Sequence, residues 1–414
     1  MQKLDQRYMQ KDLPDTVDTV IIGGGIAGTS TCYFHATETD QSVLLLEKDN
    51  LARGATGDSS AIIRHHYGAS KIYAEMAKWS HKFYREFEER TGQPLAYKPN
   101  PLLRLGIEGD ESGAYAMNGH KVLEELNIPV SRLEREDFTE EYPMISSPET
   151  DFVVNDETAA YSSGTDACIG FVNAAREAGA IVDTGTKVTE IKTERGKVVG
   201  VKTPEKTIET GNVVVTAGPW TTEIMETIEV DVPIELSREQ ILLLESEGFS
   251  RKYSEGLPTS GAPGEEWYAR DDFVDGILIA THTHESEGKV DPDTYKDSVD
   301  EDVKLELIDN LVSFCPDLED AGLQGEYCGI YSNTPDFDFI LDEVGPDGCV
   351  VGCGFSGHGF KQGPAIGKIL SDLVTKGDSS ITDVDYFSLD RFEKNKQGHG
   401  VVDPRQETES DTAS

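Results

Sequence analysis

Val17-Asp18-Thr19-Val20-Ile21-Ile22-Gly23-Gly24-Gly25-Ile26-Ala27-Gly28 carries an apolar run into a glycine cluster, and Val43-Leu44-Leu45-Leu46-Glu47 ends nineteen residues after Gly28. The spacing predicts a strand, a tight turn, a helix and a second strand that ends in an acid. Gly23 permits the turn, Gly25 lets backbone N–H groups approach a pyrophosphate, and Gly28 lets the helix pack close to the strand. Unpaired N–H groups and the dipole at the helix N-terminus, from Ile26 onward, favour an anion there. Glu47 is placed to accept from adenosine ribose hydroxyls and would repel a 2′-phosphate, which selects FAD or NAD over NADP. A glycine turn in some other α/β unit is the plainer alternative, but it explains neither the second strand nor its acid.

The chain has 414 residues, more than one core usually fills, so two domains are expected. Its apolar stretches are short and interrupted, so no membrane span is expected, and the polar N-terminus lacks a signal-peptide pattern. Both features suggest a cytoplasmic protein. The formal charge is −40, from 77 acids against 37 bases spread along the chain. Such a surface repels nucleic acid and anionic lipid, and it repels itself at low salt. Molar salt shortens the Debye length to about 3 Å and relieves that repulsion, so a halophilic, salt-adapted cytoplasm is expected. An acid-rich protein of ordinary cytoplasm is the alternative. The six cysteines fall at irregular spacing and suggest neither a zinc site nor a disulfide framework.

Residues 51–68 are too rich in glycine and serine at their start for a helix and read as a loop that delivers Arg64 to a cleft. Helical periodicity follows at 71–90 and 113–127, with strands around 95–108. Cys168–Gly179 reads as a helix, 187–201 as two strands turning at Arg195-Gly196, and Val213-Val214-Val215 as a buried strand ending at Thr216-Ala217-Gly218-Pro219-Trp220. Short apolar runs over 232–282 suggest antiparallel strands, and 301–314 a helix. Strands at 339–341 and 349–351 then precede Gly352-Cys353-Gly354-Phe355-Ser356-Gly357-His358-Gly359-Phe360-Lys361 and a last helix to about Val374. The fold class is thus α/β: a Rossmann-like nucleotide-binding domain interrupted by an antiparallel-sheet α+β substrate domain. The expected bounds are 1–90, 151–222 and 323–390 for the first, 91–150 and 223–322 for the second, and 391–414 for a disordered tail.

From Val17 to Val374 the chain resembles the flavin-dependent amine and amino-acid oxidoreductases of the D-amino-acid oxidase superfamily, whose FAD domain is glutathione-reductase-like. The carriers are the glycine motif with Glu47-Lys48, Gly54-Ala55-Thr56-Gly57, Ile62-Ile63-Arg64-His65-His66-Tyr67-Gly68, the Thr216–Trp220 turn, Thr334-Pro335-Asp336 and Gly354–Lys361. The last of these is similar to the branch of sarcosine oxidase and dimethylglycine dehydrogenase. The resemblance implies FAD contacts from Gly23, Gly25, Ile26, Gly28, Glu47, Lys48, Ser60, Val188, Gly218, Gly357, Gly359, Phe360 and Lys361. It also implies a substrate carboxylate clamped by Arg64 and Lys361, histidines His358 and His282 that tune or orient the amine, and Tyr331 and Tyr268 lining the cavity. Surface ion pairing of Arg64, a structural His282 and a core-packed Tyr268 are the plainer alternatives.

Two departures from that family bear on chemistry. Leu278 falls where the sarcosine oxidases keep an oxygen-activating lysine, so a dehydrogenase that passes electrons to a protein or quinone is expected over a peroxide-producing oxidase. Gly329 occupies the place of a flavin-linking cysteine, with Cys328 one residue earlier and so on the opposite strand face; noncovalent FAD is expected. The expected reaction is oxidation of the C–N bond of a small amino acid or N-methyl amino acid by hydride transfer to flavin N5. A noncatalytic or electron-relay flavin subunit, and a glycerol-phosphate-type dehydrogenase lacking the phosphate-binding basic set, are the alternatives. The oligomeric state is left open.

Overall fold

A computed structural model describes residues 13–273, 276–283 and 290–392. The N-terminal leader expectation falls on residues 1–12, and the tail expectation from 393 onward, both outside the described residues. Arg391 belongs to the body instead: it is buried, and its Nε donates to Asp336 at 2.8 Å.

A six-stranded sheet runs in the order Ile340–Glu343, Cys349–Cys353, Asn212–Val215, Thr19–Ile22, Val43–Glu47, Ile181–Thr184. Every pairing is parallel except that between Ile340–Glu343 and Cys349–Cys353. Both faces are covered, which is why its strands read as unbroken apolar runs. Ile21, Leu45, Val214 and Val350 face the helices Ile26–Glu38, Gly164–Glu177 and Gly359–Lys376. Val20, Ile22, Leu44, Leu46, Val213 and Val215 face a small sheet of Glu190–Glu194, Lys197–Lys202 and Thr207–Glu209. At Gly23, φ is +113°, and a Cβ there would stand 2.3 Å from the Thr216 carbonyl, so only glycine makes this turn.

The second body is a four-stranded antiparallel sheet in the order Trp267–Asp272, Gly276–Thr281, Glu235–Glu245, Gly322–Asn333. One face, with Leu242, Leu244, Ile277 and Ile279, packs on Leu307, Leu311 and Phe314 of the helix Glu301–Phe314. The other, with Ile241, Leu278, Ala280, Tyr268 and Tyr327, turns toward the nucleotide domain. Two three-stranded sheets lie beside it, Ile62–Ile63 with Ala160–Ser162 and Tyr97–Pro99, and Leu102–Gly106 with Phe152–Asp156 and Val130–Glu134. The strands at 152–156, 160–162 and 323–333 therefore pair antiparallel, whereas the domain bounds expected from the sequence put them with the nucleotide sheet. None of the described helices is long and apolar enough to cross a membrane.

Candidate active site

A cavity runs between the two bodies from the first glycine turn to Gly357. Gly23, Gly25, Ile26, Glu47, Lys48, Ser60, Val188, Gly218, Gly357, Gly359 and Phe360 all line it, as do Tyr268 and Tyr331. Gly28 and Lys361 do not; a Cβ at Gly28 would lie 2.0 Å from the Gly23 carbonyl, so this glycine serves helix-to-strand packing. Neither the helix that starts at Ile26 nor the one that starts at Gly359 has an acid in its first turn, so both positive dipole ends face the cavity uncompensated. Glu47 accepts from Gly24 N–H at 2.6 Å and from Asp49 N–H at 2.7 Å, which fixes its carboxylate beside the turn. These donors, the glycine cradle and the acid fit an adenine dinucleotide with its pyrophosphate on the first helix. At the rim Lys48 Nζ lies 3.5 Å above the Trp220 ring, and Lys48 and Trp220 both donate to Asp293, at 3.0 and 2.9 Å.

Beyond Gly357 the polar residues converge. Arg64 is buried; its guanidinium donates to the His66 carbonyl, lies 4.2 Å from the Tyr67 ring centroid and stands 3.4 Å from His358 Nε2. An arginine can only donate, so Nε2 accepts and the proton of a neutral His358 sits on Nδ1. The His282 ring is 6.3 Å from that of His358, 6.0 Å from Tyr331 and 6.0 Å from Tyr268. Lys361, one helical turn past Gly357, is buried and donates to the Gly357 carbonyl at 3.4 Å. Burial, with Arg64 and then Arg104 beside it, drops its ammonium pKa well below the usual lysine range. Arg64, His358, His282, Tyr331, Tyr268 and Lys361 thus form one continuous cluster.

The segment that carries Arg64 is pinned from behind. His65 N–H donates to Asp156 at 2.7 Å and its Nδ1 is 3.1 Å from the same carboxylate; its Nε2 meets His81 at 2.7 Å, and His81 meets the Tyr97 hydroxyl at 2.6 Å. Burial pulls His81 down to about 3, so its ring is neutral at pH 7.

The family profile described as FAD dependent oxidoreductase matches residues 18–373. This chain belongs to that family. Among curated relatives it is 30% identical to the peroxisomal sarcosine oxidase of Homo sapiens, over 94% of this chain and 99% of the human one. It is 25% identical to the monomeric sarcosine oxidase of Bacillus sp. strain B-0618, over 90% and 96%. Among solved structures, L-proline dehydrogenase from P. horikoshii superposes with a TM-score of 0.84 at 24% identity, covering 92% of this chain and 99% of that one. Glycine oxidase from Geobacillus kaustophilus superposes at 0.78 and 21%, covering 91% and 98%. The protein is an FAD-dependent oxidoreductase acting on amino-acid C–N bonds.

Three buried or half-buried charges in this flavoenzyme escaped the sequence reading. Glu239 lines the cavity and accepts from Thr281 Oγ1 at 2.8 Å and Thr283 N–H at 3.3 Å, on either side of His282. Its neighbours Ser237, Arg238 and Gln240 are polar too, so nothing local in the sequence singled this acid out. Arg104 reaches the Arg64–Lys361 cluster from another sheet. Arg270 is the cross-strand partner of Leu278, but its guanidinium donates to the Ser60 carbonyl at 2.8 and 3.1 Å and pairs with Asp272 at 2.8 Å. Cys328 packs into the core on the far face of its strand, 3.7 Å from Arg238, while its neighbour Gly329 lines the cavity.

Proposed function

We propose that the enzyme is a dehydrogenase for a small secondary or N-methyl amino acid, holds FAD noncovalently and works in a salt-rich cytoplasm. The observation that carries the reading of the substrate is the Arg64–His358–His282 constellation, which adjoins the cavity behind Tyr331, Tyr268 and Gly357. Bound FAD supplies a hydride acceptor at N5. Arg64 holds the substrate carboxylate with a planar fork of donors, and a proton on Lys361 is recovered when that anion arrives. Arg64 donates to His358 Nε2 and so orients this ring beside the amine, which must be neutral before its α C–H can leave as hydride. Glu239 offers the negative charge that favours the cationic iminium left on the substrate. Loss of the amine proton gives the imine, which water hydrolyses to a carbonyl compound and an amine.

For electron disposal, Leu278 contributes no charge on the flavin side of its sheet, and the cation beside it, Arg270, is engaged by Ser60 and Asp272 and does not line the cavity. Neither Leu278 nor Arg270 therefore offers a free charge to superoxide at this position, and a protein or quinone acceptor is favoured over oxygen. The test is anaerobic addition of sarcosine, dimethylglycine, proline, glycine and their dicarboxylic analogues in molar KCl. Bleaching of the flavin by at least one is expected, followed by slow recovery on mixing with air. If no amino acid bleaches it, the substrate reading fails; peroxide formed at every turnover would discard the dehydrogenase reading.

A further inference from the structure

Arg104 sits at the centre of the strand Leu102–Gly106, and its neighbours Leu103 and Leu105 point into the core of the substrate body. Alternation along the strand sends Arg104 the other way, toward Tyr115 of the helix Glu111–Glu125, whose ring lies 5.8 Å from the guanidinium. The same Tyr115 ring stands 5.1 Å from the His66 ring and against the backbone of Gly68, where an added Cβ would be 2.6 Å away. Arg64 holds the His66 carbonyl from the opposite side. Arg104 from its strand and Arg64 from the segment after Ile62–Ile63 therefore meet around His66, and both act electrostatically on Lys361.

Arg64, Arg104 and Lys361 have no carboxylate within ion-pair distance among the described residues. Arg104 Nε is inaccessible to solvent and makes no hydrogen bond. The nearby acid, Asp156, is committed to His65 through its backbone and its ring. A chain with 77 acids has carboxylates in excess, yet none among the described residues stands against this guanidinium. Arg64 and Lys361 are buried and Arg104 is half-buried; charge withdrawn from water in this way is costly when unpaired, so the arrangement indicates an anion that arrives with a ligand. One substrate carboxylate accounts for Arg64 and Lys361; it leaves Arg104 over.

We infer that Arg104 forms a second anion subsite and that the substrate is a dicarboxylic amino acid: an amino or N-substituted amino acid whose side chain or nitrogen substituent ends in another carboxylate. This rests on the carboxylate clamp of Arg64 and Lys361 proposed above and adds to it the identity of the group at the far end. Planar recognition of a carboxylate by each arginine would space the two anions and leave the amine between them, beside His358.

The test compares holoenzyme reduction by sarcosine and proline with reduction by N-methylaspartate and iminodiacetate, together with thermal and flavin-spectral shifts caused by acetate and malonate. The dicarboxylates are expected to give a kcat/KM about tenfold or more higher, mainly through KM, and malonate a larger upward shift in melting temperature than acetate. Arg104→Gln should collapse the ratio between the two classes to near one, and Arg104→Lys should restore part of it. If either variant fails to fold, the wild-type ratio and the malonate shift still decide. Equal or better use of the monocarboxylates, or an Arg104→Gln variant that keeps the wild-type ratio, overturns the inference while the C–N oxidation reading stands. If neither class reduces the flavin, that reading falls and the second subsite falls with it.

Discussion

Lys361 is enclosed by protein with two arginines as electrostatic neighbours, so folding makes its proton harder to hold. An unfolded lysine titrates near 10.4, and here the folded value lies well below that. Between the two values the unfolded chain binds the extra proton, so stability rises with pH across that window and the full penalty is present below it. Lys361→Met should therefore raise the melting temperature of substrate-free enzyme at pH 7 by a few degrees, with the gain fading toward pH 10, because a penalty of 1 kcal/mol is worth roughly 2 °C in a protein of this size. The same variant should lose about tenfold or more in carboxylate affinity. Melting curves across pH with an acetate titration check both, and a variant less stable than wild type at pH 7 would contradict the argument. Arg64 and Lys361 were legible in the sequence because each sits inside a motif that also contains its neighbours. Arg104 and Glu239 were not: their meaning depends on strands that meet only through tertiary pairing, and neither has a local pattern that sets it apart from the many other charged residues.

Strands speak through parity. Along Gly322–Asn333, Tyr327, Gly329 and Tyr331 turn to the flavin side, while Cys328 faces the core, where burial pushes its thiol up to about 11. A bulge would be needed to turn that sulfur round, and the only register shift in this pairing lies at Leu243/Leu244, opposite the far end of the strand. A neutral thiol on the wrong face does not attach flavin. Acid precipitation should leave the yellow colour in the supernatant; colour retained in the washed pellet would refute noncovalent binding. Glycine turns and amphipathic helices were readable because their signals are local: helix 111–125 was expected at 113–127, and the 195–196 turn appears with both residues at positive φ. Membership of a sheet is not local. Phe152–Asp156 and Gly322–Asn333 have the composition of either domain, and only their hydrogen-bonded partners decide where they belong.

Charge is the property of the chain that composition reveals most directly. With 77 acids and 37 bases, many of the bases are taken up in exposed pairs such as Lys187–Glu223 and Lys71–Glu125, and the surplus acids repel one another. The melting temperature should climb steadily from dilute buffer to molar KCl as screening takes hold, since the Debye length falls from about 30 Å at 0.01 M to about 3 Å at 1 M. Calorimetry over a KCl series measures this, and a flat response would remove the case for salt adaptation. The nucleotide domain adds a constraint of another kind. Ser30 of the first helix donates to the Gly363 carbonyl of the last at 2.9 Å, and the glycines at 363 and 367 let the two helices touch backbone to side chain. During synthesis the dinucleotide turn leaves the ribosome early, yet the helix it packs against is among the last parts translated. A nascent or prematurely terminated chain therefore has nowhere to lodge its coenzyme, and flavin capture reports that translation has reached the end of the catalytic body.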